Sequence, residues 1–389
     1  MKICAIICEY NPFHNGHEYL IKEAKRRSGA DAVLCLMSGN FVQRGSVAVL
    51  PKRNRAIHAV KCGADAVIEL PTVFATSNAE IFASGDISLL SKIPEVTCLA
   101  FGAELGEKEP FLQAATALLK EPEAVSKTVK TLMAQGIGYA QAISTARAQV
   151  ADSRLFNSPN NILGIEYTKA IISLKSKLDI HPIIRQGAGY NDLELKKDIS
   201  SASAIRKAIL DGKIKKAKTS LPPYSFKDLP KNLPSCDDMI FYSVLKASKS
   251  DLKDIIDCTE GLENRIKGLI KNSQSLDELK DKLKTKRYTS TRISRILLSC
   301  ALGIEEKFIR RCFNDELYLK VLAINKDKIS LLSEFSRLTD TPIITRKKDA
   351  DNLVGIAKEC FEKDVFANDF YNFATKIKTN EYEMKTVKV

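Results

Sequence analysis

The chain has 389 residues, of which 44% are hydrophobic and 28% charged; this balance excludes an intrinsically disordered protein, and the length predicts two domains. Because no apolar run of about 18 residues and no signal-peptide pattern is found, we expect a cytoplasmic protein without a membrane partner. The net charge of +13 attracts polyanions such as nucleic acid, although lysines that only solvate helix faces would give the same excess.

Short apolar runs alternate with helical patterns from residue 1 to about residue 105, which is typical of a parallel sheet with crossover helices. The predicted strands are Ile3 to Cys8, Ala32 to Met37, Ala66 to Leu70 and Val96 to Phe101. They are apolar throughout, as expected for strands that helices cover on both faces. The predicted helices between them lie around His17 to Arg27, Lys52 to Cys62 and Asn78 to Leu90.

The middle of the chain continues this α/β pattern up to a proline-rich boundary. A helical stretch is predicted from residue 102 to about residue 149, then a helix from Asn161 to Ile172 and a strand from Leu178 to Ile184. Leu221-Pro222-Pro223 interrupts regular structure, so we predict a first domain at 1–220 and a second at 221–389.

The second domain is predicted to be mainly helical, with strand patterns only near its end. Its helices are expected near Met239 to Ala247, Leu262 to Lys271, Ser275 to Leu283 and Thr291 to Leu302. Tyr318 to Ile324 and Pro342 to Thr345 resemble strands with a helix between them, which indicates a small α/β tail.

Two of the four histidines of the chain, His14 and His17, lie in one turn between the first strand and the first helix. Ligands of open α/β sheets bind at this carboxyl edge, where the helix N-terminus also attracts anions. Gly16 leaves room for a phosphate to approach the backbone. Both imidazoles can therefore donate hydrogen bonds to the phosphates of ATP, although they could simply cap the helix.

Further candidate residues follow other predicted strands. Ser203 is predicted to cap a helix that carries Arg206 in its first turn, and both can bind phosphate, although a serine before a helix is more often only a cap. The loop after the second strand could line a substrate pocket through Ser38, Gly39, Asn40, Gln43 and Arg44. Gly102 and Arg185 end strands on the same edge, but position alone favours a turn glycine and a solvated arginine.

The pairing of His-x-Gly-His with Ser-x-Ile-Arg resembles the nucleotidyltransferase superfamily. Longer segments are similar to the tRNA(Met) cytidine acetate ligase family, and they read CEYNPFHNGHEYL, LMSGNFVQRG, VIELP, FGAE, SPNNILGIEY, ISSASAIR and KRYTSTRISR. The resemblance extends to about Leu302. It implies a Rossmann-like parallel sheet, α/β in class, as the ATP-binding nucleotidyltransferase domain, followed by a mainly α-helical C-terminal domain that binds tRNA.

The family resemblance also implies a carbon–nitrogen ligase reaction. Acetate would attack the α-phosphate of ATP, and the acetyl group of acetyl-adenylate would pass to the wobble cytidine of elongator tRNA(Met) as N4-acetylcytidine. The partners are then acetate and tRNA rather than DNA, with Mg²⁺ entering with ATP and no protein ligand for it identified. The implied catalytic residues are His14, His17, Ser203 and Arg206.

The resemblance further implies an ATP site, and one of its positions is ambiguous between two neighbouring asparagines. The site would comprise Ile7, Cys8, Glu9, Tyr10, Asn11, Pro12, Phe13, His14, Asn15, Gly16, His17, Glu18, Tyr19, Leu20, Gly102, Asn160 or Asn161, and Arg185.

A basic cluster in the second domain is the candidate tRNA-binding surface. Basic side chains neutralise phosphates, and a tyrosine can stack on an unpaired base. The cluster comprises Lys284, Lys286, Arg287, Tyr288, Arg292 and Arg295. A solvated helix end is the alternative explanation.

Two other functions stay open at the sequence level. An adenylyltransferase acting on a small phosphorylated metabolite would use the same ATP chemistry, but it would leave the basic helical domain without a ligand. A non-catalytic tRNA-binding module would not need the two histidines.

Overall fold

A computed structural model describes residues 1–186, 195 and 198–389. Its strands are β1 (Ile3–Cys8), β2 (Ala32–Ser38), β3 (Phe41–Val42), β4 (Ser46–Val47), β5 (Ala66–Leu70), β6 (Val96–Ala103), β7 (Asp179–Ile184), β8 (Leu319–Ile324), β9 (Ile343–Ile344) and β10 (Val387–Lys388). The five strands predicted in the first half are confirmed, each within two residues of its expected ends.

The helices of the first half surround these strands. They are α1 (Asn15–Ser28), α2 (Lys52–Lys61), α3 (Thr72–Ala75), α4 (Ala79–Leu90), α5 (Lys108–Leu118), α6 (Glu123–Ala134), α7 (Tyr139–Arg147), α8 (Pro159–Ser173) and α9 (Ala202–Leu210). The helical stretch expected between residue 102 and about residue 149 is confirmed, and it is divided into the three helices α5, α6 and α7. Pro122 caps the start of α6, and Gly136 ends that helix region with a φ of +85°, a conformation that glycine adopts without strain.

The second half is mainly helical, as predicted. Its helices are α10 (Pro223–Asp228), α11 (Asp237–Lys246), α12 (Lys249–Lys253), α13 (Leu262–Ile270), α14 (Leu276–Leu283), α15 (Ser290–Leu302), α16 (Glu306–Asn314), α17 (Ser330–Leu338), α18 (Lys347–Asp351) and α19 (Gly355–Thr375). Among the described residues, 3₁₀ segments lie at Ser153–Asn157 and Ile214–Ser220 in the first half and at Lys326–Lys328 in the second. Within the described ranges, no helix combines the length and the apolar character that a membrane span needs.

The main sheet has eight strands in the order β10-β8-β5-β2-β1-β6-β7, with β9 paired to β8. Strands β5, β2, β1, β6 and β7 are mutually parallel, so the predicted parallel α/β sheet is confirmed. Strand β1 lies in the middle, and its carboxyl end leads directly into the His14 turn. Sheets of this kind bind ligands at that edge.

The C-terminal tail belongs to this same sheet. Strand β8 pairs antiparallel with β5, residue 67 facing residue 323, and α19 packs on α3. The sequence assigned β8 to the domain after residue 220, together with a small tail, whereas the structure adds the strand to the sheet of the first domain. An edge strand left unpaired would expose its backbone groups, and β8 covers that edge of β5.

Both faces of the sheet are buried, which explains why its strands are apolar throughout. Ile3, Ala5 and Ile7 of β1 point into a core formed with α4, α8 and the C-terminal helices. Cys4 and Ile6 point to the opposite face, into a core formed with α1 and α2. These two faces are named below the α4 face and the α1 face.

Candidate active site

The His14 turn is built by reciprocal hydrogen bonds at the start of α1. Nδ1 of His14 accepts from the backbone N–H of Gly16 at 3.1 Å, and Nδ1 of His17 accepts from the backbone N–H of His14 at 3.2 Å. The two rings stack with centroids 3.7 Å apart. With both Nδ1 atoms accepting, each neutral imidazole carries its proton on Nε2. The histidines therefore cap the helix and keep one N–H donor each for a ligand.

Both imidazoles are neutral at physiological pH. Burial and the positive charges of Arg185 and Arg206 lower the pKa of His14 to about 3. Burial, His14 and Arg185 lower the pKa of His17 well below its ordinary value. The pair thus offers hydrogen-bond donors without the repulsion between two imidazolium ions that would otherwise stand 3.7 Å apart.

We expect the free energy of unfolding to fall as the pH drops below the pKa of about 6.5 of an unfolded histidine. The folded-state pKa values of His14 and His17 are depressed, so the unfolded chain gains protons that the native state does not, and the native state loses about 1.4 kcal/mol per pH unit for each histidine. Between about pH 6.5 and about pH 5 the loss is about 2 kcal/mol for each, measured by urea unfolding.

The matched control for this pH dependence is His14→Ser, which keeps a side-chain acceptor at the helix cap. Its stability should fall less steeply with pH than that of the parent protein. His58, whose pKa burial also lowers, contributes equally to both proteins. Parallel pH profiles for the two proteins would contradict the assignment of depressed pKa values to the pair.

Helix α9 brings Ser203 and Arg206 to the same turn. Arg206 donates from Nη1 to the carbonyl of Asn11 at 2.7 Å and from Nη2 to the hydroxyl of Ser203 at 3.1 Å. The predicted cap role of Ser203 is wrong: Ser201 is the N-cap, accepting from the N–H of Ala204. Ser203 lies inside the first turn, where its hydroxyl orients the Arg206 guanidinium.

These groups line one cleft of about 460 Å³ at the carboxyl edge of the sheet. Its walls include the predicted residues Ile7, Cys8, Glu9, Tyr10, Asn11, His14, His17, Leu20, Gln43, Arg44, Gly102, Asn160, Arg185, Ser203, Arg206 and Arg295. Gly16 and Tyr19 line a smaller pocket that shares the two histidines with it. The structure thus joins residues from both halves of the chain in one site.

Four residues of the predicted ATP-binding segment line neither cavity. Phe13 is fully buried and packs on Tyr10, and Pro12 beside it is also buried. Asn15 donates from Nδ2 to the carbonyls of Asp198 and Thr219. Glu18 pairs with Lys22 on the outer surface of α1. These side chains support the turn, and contact of these four residues with ATP stays a prediction.

The two neighbouring asparagines separate into different roles. Asn160 lines the cleft and donates from Nδ2 to Glu104 at 2.8 Å. Asn161 is buried, and its Oδ1 accepts from the N–H of Glu104 at 2.9 Å, so it supports the loop after β6. Glu104, which also lies 3.7 Å from Nε of Arg185, supports two cleft residues without lining the cleft itself; the sequence analysis missed this role although Glu104 follows Gly102 within the segment FGAE.

The predicted substrate loop divides in the same way. Ser38 and Asn40 are buried, and Asn40 bonds to the N–H of Lys52 and to the side chain of Asn368. Gly39 lies against Glu69, which would stand 2.6 Å from an added Cβ. These three residues do not line the cleft, whereas Gln43 and Arg44 do, together with Val42 and Ser46 of the same β3–β4 hairpin.

The predicted tRNA-binding cluster is also divided. Lys284, Lys286 and Arg287 are exposed. Tyr288 is buried, and its hydroxyl lies 3.3 Å from the Glu260 carbonyl. Its predicted stacking on a base is wrong, because its ring packs in the hydrophobic core.

The two arginines of this cluster on α15 are engaged within the protein. Arg292 donates to the Asp257 carbonyl at 2.6 Å and lies over the Tyr288 ring. Arg295 lines the cleft, together with Thr291. Only the exposed cations Lys284, Lys286 and Arg287 are placed as the tRNA prediction required.

Comparison with known proteins identifies close relatives of this chain. A family model described as HIGH Nucleotidyl Transferase matches residues 1–386. The tRNA(Met) cytidine acetate ligase of Caldanaerobacter subterraneus subsp. tengcongensis is 37% identical, covering 97% of this chain and 96% of the relative. The ligase of the same name from Clostridium perfringens (strain ATCC 13124) is 36% identical, covering 96% and 95%.

Solved structures agree with this assignment. Thermotoga maritima TmcAL without ligand superposes with a TM-score of 0.89 at 27% identity, covering 100% of both chains. The form bound with alpha-thio ATP gives a TM-score of 0.87 over the same coverage.

Proposed function

Because this chain belongs to the tRNA(Met) cytidine acetate ligase family of HIGH nucleotidyl transferases, we propose that it activates acetate with ATP and acetylates N4 of the wobble cytidine of elongator tRNA(Met). The observation that carries the proposal is the His14–His17 pair, two neutral N–H donors in a cleft that Arg206 and Arg185 also line. Such donors stabilise charge that develops on phosphate oxygens.

In the first step a carboxylate oxygen of acetate forms a bond to the α-phosphorus of ATP, and the bond to pyrophosphate breaks. Acetate is ionised at neutral pH, so the step needs no general base. Negative charge accumulates on the leaving pyrophosphate, where Nε2–H of His14 and His17 and the guanidinium of Arg206 would donate. Gly102 and Arg185, at the ends of β6 and β7, and Asn160, in the first turn of α8, would hold the nucleoside side of ATP.

In the second step the N4 amine of cytidine forms a bond to the acetyl carbon, AMP leaves and one proton is released. The mixed anhydride is reactive and AMP is a good leaving group, so this step depends on holding the base beside the acetyl group. The cleft contains a single carboxylate among the described residues, that of Glu9, and it already accepts from the N–H of Gln43 at 3.0 Å.

Magnesium would enter this site as a companion of the triphosphate. No group of three or more histidine, cysteine, aspartate or glutamate side chains able to hold a metal lies in the part of the chain that the structure describes. Mg²⁺ keeps several waters and commonly takes one or two carboxylates plus substrate phosphates. Glu9 is the residue that would contact it, and the ion would neutralise phosphate charge.

Exposed cations of the helical half would hold the tRNA. Lys284, Lys286 and Arg287 lie in the connection between α14 and α15, and α15 continues from there into the cleft. Basic side chains neutralise backbone phosphates. An RNA bound to this connection would therefore lie next to the cleft in which acetate is activated.

The test incubates the purified protein with Mg-ATP, labelled acetate and an unmodified elongator tRNA(Met) transcript, followed by digestion and mass spectrometry of the nucleosides. We expect label in N4-acetylcytidine, and none when the wobble cytidine of the transcript is replaced by uridine. Acetyl-adenylate without labelled RNA would refute the tRNA acceptor. Consumption of ATP with a phosphorylated small metabolite instead of acetate would favour an adenylyltransferase.

A further inference from the structure

Arg295 was expected on an RNA-binding surface, but the fold places it in the cleft with the two histidines. Close packing of α15 on the β3–β4 hairpin makes this placement possible. Gly45, at a φ of +72°, has no side chain, and a Cβ there would stand 2.5 Å from the backbone nitrogen of Arg295. The helix and hairpin therefore touch through backbone, which brings the Arg295 side chain to the carboxyl edge of the sheet.

The position of the Arg295 guanidinium is set by Asp257. One oxygen of Asp257 lies 3.6 Å from Nη2 of Arg295, and the other accepts from Nδ2 of Asn78 at 3.1 Å. Asn78 is the N-cap of α4, so this carboxylate ties the guanidinium to the start of α4. Gln43 reaches the same place, donating to the carbonyl of Ser77 at 3.3 Å.

The Arg295 guanidinium retains hydrogen-bonding capacity. Its side chain is only 14% exposed, and Nε is buried without a hydrogen-bond partner among the described residues. A single ion pair at 3.6 Å does not satisfy five N–H donors. A buried cation with unused donors is costly unless an anion binds it. An oxyanion that enters the cleft would meet this requirement.

The two ends of the cleft lie on opposite faces of the sheet. Arg206 bonds to the carbonyl of Asn11, and α9 follows the segment that Asn15 of α1 holds, which places it on the α1 face. Arg295 belongs to a helix whose apolar residues join the core of the α4 face. In an in-line displacement the attacking and leaving oxygens stand on opposite sides of phosphorus. If pyrophosphate leaves toward Arg206, the acid approaches from the side of Arg295.

The apolar wall of the cleft that Arg295 lines suits a short acid. Ala79 and Phe82 of α4 and Tyr167 of α8 line this cleft, and Ala79 directly follows Asn78. A guanidinium in one cleft with small and aromatic side chains matches a carboxylate that carries a methyl group, because the fork binds the two oxygens and the apolar wall accepts the methyl. A polyphosphate would leave that apolar wall without a partner.

We propose that Arg295 binds the carboxylate of the acid substrate and so determines acetate affinity, an inference that rests on the proposed function. The helical half then contributes directly to activation, in addition to its role toward tRNA. Asp257 acts as a positioning residue, because it holds the guanidinium without reaching the substrate.

The experiment compares the parent protein with Arg295→Ala, Arg295→Lys and the control Arg310→Ala, whose exposed arginine pairs with Glu306 on α16. Three quantities are measured: KM for acetate at saturating ATP and tRNA, Kd for a non-hydrolysable ATP analogue, and Kd for tRNA. We expect both Arg295 variants to raise KM for acetate at least about tenfold, as loss of a charged hydrogen bond does. The other two constants should stay within about twofold, and Arg310→Ala should match the parent.

Other outcomes would overturn the inference. A weaker Kd for the ATP analogue with an unchanged KM for acetate would assign Arg295 to the triphosphate, and a weaker Kd for tRNA would return it to RNA binding. Binding of ¹³C-acetate, followed by NMR in the presence of the ATP analogue, separates this inference from the proposed function. If the parent protein binds acetate through Arg295 but acetylates no tRNA, the proposed function is refuted and the acetate site at Arg295 stands. If removing Arg295 leaves acetate binding unchanged, the acetate site is refuted.

Discussion

His14→Ala and His17→Ala are each expected to lower the rate of acetyl-adenylate formation by about 100- to 1,000-fold, because each removes one preorganised donor from the leaving pyrophosphate. The loss should appear in kcat rather than in KM for ATP, since the charge that these donors stabilise is largest in the transition state. The measurement is release of pyrophosphate in a single turnover with acetate and ATP, before tRNA is added.

A control for this prediction must separate chemistry from folding, since both histidines also cap α1. Loss of either cap contact should lower the free energy of unfolding by about 1 kcal/mol. His14→Ser restores an acceptor for the N–H of Gly16 and should recover much of that stability while remaining as inactive as His14→Ala. A serine variant with near-parental turnover would show that the imidazole only caps the helix. His181→Asn, outside the cleft, tests for effects of losing any histidine.

Lys52→Ala is expected to lower the free energy of unfolding by about 3–5 kcal/mol, because it leaves two buried carboxylates with one cation instead of two. Nζ of Lys52 lies 2.6 Å from Glu69 and also contacts Glu381, and all three side chains are at most 3% exposed. Lys320 contacts Glu381 and lies 3.6 Å from Glu69, so two lysines and two glutamates form a buried neutral network. Urea unfolding with a two-state analysis measures the change.

A double variant distinguishes a charge network from simple packing. Lys52→Met with Glu381→Leu removes one positive and one negative charge together and leaves Lys320 beside Glu69. We expect the double variant to be more stable than the sum of the two single changes implies, by about 1–3 kcal/mol. Strict additivity would contradict coupling between these side chains. Because Glu381 lies in the C-terminal tail and Lys52 on α2, the same cycle measures how much this contact between the tail and the first half contributes to stability.

The sequence by itself determined the local structure of the central turn and predicted its chemistry. Apolar runs of strand length placed β1, β2, β5, β6 and β7, because strands covered on both faces contain little else. His14 and His17 were recognised because two ionisable rings in the first turn of a helix, after a buried strand, match the needs of a phosphate site. The helical second half followed from its periodicity.

Only the tertiary structure decided which separated segments meet. Periodicity predicts that Tyr318 to Ile324 is a strand, but not that it pairs with β5, because the pattern of one strand does not determine which strand lies beside it. The choice of Asn160 over Asn161 depends on which side chain the loop after β6 uses for support. Arg295 was predicted to bind RNA because its neighbours in the sequence are also basic. Its place in the cleft arises from the contact of α15 with Gly45. No local sequence pattern predicts this contact, because the two backbone segments are 250 residues apart.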